Sequence, residues 1–145
     1  MGTATLVQPA ARLLTPPIVR WVALLGLCAA YLQGGINKAL DFNGAVAELA
    51  HFGMPAYPAL AAAVIALELG ASLMILSGRL RWMGALALAG FTLFATVVAN
   101  RYWEMAGQER FMTANAFYEH LGLVGGFVLV AWHDLKSHTP SSSAS

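Results

Sequence analysis

A single glutamate, Glu68, lies in the middle of an otherwise apolar or small stretch, residues 61–76, AAAVIALELGASLMIL. A carboxylate there can exchange protons with a ligand or neutralise a cation. In a membrane helix, however, an acid near the centre costs about 2.5–3.5 kcal/mol. Intramembrane acids therefore mark functional sites by default, and Glu68 is the first candidate for chemistry. Ser72, one helical turn further on, can donate a hydrogen bond to it.

Further polar side chains cluster where the other apolar segments of the chain begin or end. With 1.5 Å rise per residue, Glu68 lies ~16 Å along its helix from Tyr57, close to the midplane of a membrane. We predict one polar pocket with Glu68 at its floor, open to the outer side. Its predicted ligand-binding residues are Gln33, Asn37, Lys38, Ser72, Asn100, Arg101, Glu119 and His120. The alternative is a hydrogen-bonded network that only fixes how the helices pack.

The histidines and the lone cysteine do not have the spacing of a metal or haem site. His120 is the only histidine inside a predicted span, and Cys28 has no second cysteine to pair with. We therefore expect no metal and no haem. With a net charge of +1, the chain also lacks the basic field of a nucleic-acid-binding protein.

The composition predicts that lipid covers most of the chain. Hydrophobic residues make up 59% and charged residues 10% of the 145 residues, whereas an ordinary soluble domain is about 25% charged. A membrane-spanning helix needs ~20 mostly apolar residues. Four segments fit: residues 18–36, 57–76, 81–99 and 114–132. The predicted fold is an all-α transmembrane four-helix bundle.

The remaining segments set the predicted domain limits. Residues 1–15 are expected to be a disordered segment, residues 16–136 the four-helix domain, and residues 137–145 a disordered polar tail. Between the first two spans, NGAVAELAHFGMPAYP predicts a short helix at the membrane interface, capped by Asn43. Residues 100–115 are expected to form the last loop.

The arginines and lysines near the span ends predict the orientation. One side holds five of them, Arg12, Arg20, Arg79, Arg81 and Lys136, and the other holds Lys38, Arg101 and Arg110. Because positive residues favour the cytoplasmic side, both termini are predicted to be cytoplasmic.

The order of several weak motifs resembles the DoxX family of small bacterial four-helix membrane proteins. These motifs are GGINK at the end of the first span, GMPAYP before the second, Glu68 within it, the turn SGRLRWMGAL, NRYW after the third span and the Gly-Gly pair of the fourth. The resemblance covers roughly residues 20–132 and carries over best to Lys38 and Glu68. The family often has His-Pro-Phe-Trp-like residues where this chain has NRYW, and Lys-Asn where it has Glu119 and His120.

The resemblance implies a multi-pass protein of the bacterial inner membrane, linked to quinol oxidation and thiosulfate:quinone oxidoreductase. The leading hypothesis is a membrane subunit of a quinone-linked oxidoreductase, in which Glu68 exchanges protons with a quinone or a similar small lipid-soluble molecule. Its partners would be membrane lipid and a membrane or periplasmic redox subunit, with a homo-oligomer left open. The alternatives are a non-enzymatic scaffold or assembly subunit and, less favoured, a small proton-coupled transporter.

Overall fold

The computed structural model describes residues 4–139, which are almost entirely helical and contain no strand. The α-helices are α1 (Ala4–Leu14), α2 (Pro17–Leu40), α3 (Phe42–His51), α4 (Pro58–Ser77), α5 (Arg81–Ala99) and α6 (Gly107–His138). A short 3-10 helix, Tyr102–Glu104, lies between α5 and α6. The prediction of an all-α fold is therefore confirmed.

Helices α2, α4, α5 and α6 are long and apolar enough to cross a membrane, as the sequence predicts. Large apolar side chains are exposed over much of the bundle, including Phe94 at 56% and Leu129 at 66%. In water such a surface would be unfavourable, whereas lipid chains solvate it well. The orientation of the termini stays a prediction.

The core joins all four long helices around small and apolar side chains. The buried residues are Leu24, Cys28 and Tyr31 of α2, Ala71 and Ile75 of α4, Ala85, Leu88 and Ala89 of α5, and Phe127 and Ala131 of α6. Gly84 lets α5 approach α4 closely, because a Cβ atom there would lie 2.6 Å from the carbonyl oxygen of Ala71. Small residues at helix contacts are typical of membrane bundles.

Two segments expected to lack helix are helical in the structure. Helix α1 occupies most of residues 1–15, because residues 10–14 are alanine, arginine and leucine, all strong helix formers. Helix α6 begins at Gly107, inside the predicted last loop, and ends at His138, inside the predicted tail. Residues 1–3 and 140–145, also predicted to be disordered, lie outside the described residues.

The short helix between the first two spans is present as α3, but Asp41 caps it instead of Asn43. Asp41 precedes the first helical residue, and its Oδ1 atom accepts a hydrogen bond from the Gly44 N–H at 2.9 Å. Asn43 lies inside the helix, where its side chain cannot cap the first turn. Whether α3 lies at the membrane interface stays a prediction.

A buried aspartate near the end of α6, Asp134, connects this helix to the start of α5. Asp134 is 5% exposed. Its Oδ2 atom accepts a hydrogen bond from the Trp82 N–H at 3.1 Å, and its Oδ1 atom lies 3.8 Å from Nη1 of Arg81. The Arg81 Nε also donates to the Ile75 carbonyl oxygen at 2.9 Å. Asp134 therefore caps the start of α5 and, through Arg81, links α6 to the end of α4.

We expect Asp134→Ala to lower the free energy of unfolding by about 1–2 kcal/mol, because it removes the acceptor for an otherwise unpaired helix-terminal N–H. Unfolding in mixed detergent micelles, followed by tryptophan fluorescence, measures this loss. Asp134→Asn keeps one acceptor oxygen and should lose less. Equal stability of wild type and Asp134→Ala would contradict this role.

Candidate functional site

Glu68 lies on the inner face of α4, where it forms an ion pair with Lys38 of α2. The Nζ atom of Lys38 donates to both carboxylate oxygens, at 3.2 Å to Oε1 and 3.3 Å to Oε2. Glu68 is 5% exposed, and the Lys38 side chain is 22% exposed. Glu68, the acid predicted to lie at the floor of the pocket, is thus buried, and Lys38 of a neighbouring helix contacts both of its carboxylate oxygens.

Gly34 of α2 lies beside this pair. A Cβ atom at Gly34 would lie 3.4 Å from Nζ of Lys38 and 3.8 Å from each carboxylate oxygen of Glu68. Lys38 is also 4.0 Å from Oε2 of Glu48, an exposed residue of α3. The ammonium group therefore lies between a buried acid and an exposed one.

A cavity of about 190 Å³ adjoins the ion pair. It lies between α2, α4, α5 and α6, in the half of the bundle that contains α3 and the connection from α5 to α6. Its walls combine both charged groups with an aromatic ring, hydroxyl groups and an imidazole. The lining residues are Ala30, Tyr31, Gly34, Lys38, Glu68, Phe91, Thr92, His120 and Leu123.

Tyr31 and Thr92 contribute two cavity hydroxyls that the sequence analysis did not single out. The Thr92 hydroxyl donates its one proton to the Leu88 carbonyl oxygen at 2.6 Å, so the Tyr31 hydroxyl donates to Thr92. Both side chains are buried. A tyrosine or a threonine within an apolar span is by itself weak evidence of a binding site. Both residues lie on helix faces that carry core residues, and this pattern could have indicated that they face the interior.

His120 enters the cavity from α6 and is positioned by Asn100. The Asn100 Nδ2 atom is 2.9 Å from Nδ1 of His120 and donates to the Thr96 hydroxyl at 3.0 Å. An amide nitrogen can only donate, so Nδ1 is the acceptor and a neutral imidazole carries its proton on Nε2. Two predicted site residues, Asn100 and His120, are thereby brought together.

Ser72 is buried close to Glu68 but does not bond to its carboxylate. Its hydroxyl donates to the backbone carbonyl oxygen of Glu68 at 2.7 Å, the common bond of a helical serine to the preceding turn. The interaction predicted with the carboxylate is replaced by this backbone bond.

The other four predicted ligand-binding residues are exposed and do not line the cavity. Gln33 and Asn37 are each one residue, or about 100°, from the α2 positions that face it. Glu119 is likewise one residue from His120. Arg101 lies beyond the end of α5 and is 3.5 Å from Glu104. The structure thus brings together Lys38, Glu68 and His120 at the cavity, with Asn100 behind His120.

Within residues 4–139, no three His, Cys, Asp or Glu side chains converge as a metal-binding group would require. The titratable groups at the cavity are the Lys38–Glu68 pair, the His120 imidazole and the Tyr31 phenol. Such groups can bind and protonate a small polar head group.

Four apolar helices around a buried ion pair define a multi-pass integral membrane protein with a polar cavity inside its bundle. The DoxX family model matches residues 18–101, more than half of the chain, and the chain belongs to this family. The match includes Lys38 and Glu68, and the family predicted from the sequence is confirmed.

The chain is also similar to the inner membrane protein YphA of Escherichia coli (strain K12). The two are 27% identical over 116 residues, which cover 79% of this chain and 82% of YphA. No solved structure matches the chain significantly.

Proposed function

We propose that this protein binds a quinone, or a similar small lipid-soluble molecule, in the cavity beside Glu68 and serves as the membrane subunit of a quinone-linked oxidoreductase. The cavity that places Lys38, Glu68 and His120 around one space inside a membrane bundle carries this proposal. The similarity to an inner membrane protein supports the same membrane for this chain.

The size and the walls of the cavity suit a single ring with polar oxygens. An apolar protein cavity of about 150 Å³ holds benzene, and this cavity measures about 190 Å³. Phe91 offers an aromatic wall, while Lys38 and His120 offer N–H donors for carbonyl oxygens. A longer apolar tail would extend between the helices into lipid.

The residues would act on protons, and a partner would handle the electrons. Oxidation of a quinol to a quinone releases two electrons and two protons. Glu68 would accept a proton from each quinol hydroxyl in turn, releasing the first to water before it accepts the second, and Lys38 would neutralise the carboxylate whenever it is charged. Both electrons would pass to an acceptor on a membrane or periplasmic redox subunit.

Glu68→Gln tests the proton-exchange role, since it keeps the size of the side chain but removes the ionisable group. We expect the purified variant to lose at least tenfold in quinol-dependent electron transfer, measured with its co-purified partner. Glu104→Gln removes an exposed acid outside the cavity and should keep wild-type activity.

The first experiment is purification in mild detergent, followed by identification of bound proteins and extracted quinones from one sample. Stoichiometric quinone or a co-purifying dehydrogenase would support the proposal. Protein without either, or full activity in Glu68→Gln, would contradict it.

A scaffold or assembly subunit is the second candidate function. In the described part of the chain, every buried side-chain nitrogen and oxygen atom has a hydrogen-bond partner. A network that only fixes helix packing would have this property. For a scaffold, Glu68→Gln would leave the assembled complex and its activity intact.

A further inference from the structure

A second and larger cavity lies at the opposite end of the bundle from Glu68, where α2 begins and α6 ends. It measures about 410 Å³, within the range of about 300–1,000 Å³ of ligand pockets. Apolar side chains of α2 and α6 form most of its walls, and charged groups lie at its end. The residues that line it include Arg20, Ala23, Leu27, Arg81, Leu129 and Asp134.

This cavity lies at the surface of the bundle between α2 and α6, where exposed apolar side chains predict contact with lipid. Helices α2 and α6 approach at Leu27 and Gly126, where a Cβ atom on the glycine would lie 3.2 Å from Cδ1 of Leu27. From this contact, the cavity extends toward the first residues of α2 and the last residues of α6. Ala23 and Leu129 on its two walls are exposed. A lipid chain can therefore enter it from the membrane without passing through the core.

Arg20 is the cation at this cavity that has no partner within residues 4–139. Arg81 bonds to the Ile75 carbonyl oxygen and lies beside Asp134, whereas the exposed Arg20 takes part in no ion pair or side-chain hydrogen bond there. Two arginines against one aspartate leave a net positive charge among these three side chains. The Asp134 carboxylate is occupied by the Trp82 N–H and Arg81.

Exposed aromatic residues predict that Arg20 lies at the depth of lipid head groups. Trp21 follows it in α2 and is 47% exposed, and Trp132 of α6 is 56% exposed at the same end. The Lys136 ammonium lies 4.8 Å from the centre of the Trp132 ring. Exposed tryptophan beside lysine or arginine is typical of the membrane–water interface.

We propose that this cavity is a binding site for one anionic phospholipid, whose acyl chain fills the apolar cleft between α2 and α6 and whose phosphate contacts Arg20. The apolar walls favour a lipid over free phosphate, and the net positive charge favours an anionic head group over a zwitterionic one. The site is separate from the cavity at Glu68 and does not depend on its function.

Native mass spectrometry of the delipidated protein in mild detergent tests this proposal with dioleoylphosphatidylglycerol, dioleoylphosphatidylcholine and inorganic phosphate. We expect the wild type to bind one phosphatidylglycerol about fivefold more tightly than phosphatidylcholine, and phosphate alone not at all. Arg20→Gln should abolish the preference. Arg79→Gln, with the same charge change in the nearby turn outside the cavity, should retain it.

Ala23→Phe, which fills the cleft with an aromatic ring, should weaken binding of both lipids, with unchanged helix content by circular dichroism. Equal binding of the two lipids by the wild type, an unchanged preference in Arg20→Gln, or binding of phosphate alone as tight as of phosphatidylglycerol would each overturn the proposal. Unchanged lipid binding by Ala23→Phe would show that the acyl chain lies elsewhere, and would overturn it as well.

Discussion

Lys38→Met should lower the free energy of unfolding by about 3 kcal/mol, because it leaves the buried carboxylate of Glu68 without its counter-charge. Removal of one partner from a buried pair costs about 3–5 kcal/mol, and the 22% exposure of the Lys38 side chain places this case at the lower limit. Unfolding in mixed micelles of mild detergent and dodecyl sulfate, followed by tryptophan fluorescence, measures the loss.

Two further variants separate the ion pair from other effects of the substitution. Glu48→Gln removes the exposed acid 4.0 Å from Lys38, and such a pair contributes at most about 1 kcal/mol. The double variant Lys38→Met/Glu68→Leu removes both charges and should regain most of the lost stability. A double variant no more stable than Lys38→Met would show that the loss has another cause.

Gly84→Ala should destabilise the bundle by about 2 kcal/mol, because the added methyl group has no space between α4 and α5. It would lie 2.6 Å from the carbonyl oxygen of Ala71 and 2.9 Å from Cβ of Met74. Backbone and Cβ atoms cannot rotate away, so the two helices must move apart and lose packing. The same micelle unfolding assay measures the change.

Gly90→Ala is the matched control, since it makes the same substitution in the same helix at a position with no atom within 4 Å. There the higher helix propensity of alanine should leave stability unchanged or raise it by up to about 1 kcal/mol. Similar losses in both variants would mean that the close approach of α4 and α5 is not what Gly84 provides.

Hydropathy predicts the four spans of this fold but not the full lengths of their helices. Helix α6 has 32 residues and is therefore about 48 Å long, whereas the hydrocarbon core of a bilayer is about 30 Å thick. Its first turns contain Gln108, Glu109 and Arg110, so only its apolar part, near residues 114–132, resembles a span. Helix formation outside lipid depends on backbone propensity, which an apolar window does not measure.

The sequence predicts a site residue where a polar side chain in lipid would cost free energy. It does not predict one where the side chain can face water without that cost. An acid in an apolar helix must find a partner, so Glu68 points to an interior site from sequence alone, and Lys38 is a nearby cation to match it. Polar residues near span ends can face water at no cost, and Arg101 and Glu119 do not line the cavity. For the same reason the sequence does not predict the burial of Asp134, since nothing in its local sequence distinguishes a buried aspartate from an exposed one.

The placement of the ion pair along the chain bears on how this protein enters the membrane. Synthesis proceeds from the N-terminus, so the helix with Lys38 is inserted before the helix with Glu68. Lys38 lies in the last turn of α2, where a long side chain can reach the interface while unpaired. The more costly mid-span acid arrives second, when its counter-charge is already in place. Because of this order along the chain, the mid-span carboxylate of Glu68 does not enter the membrane before its cation.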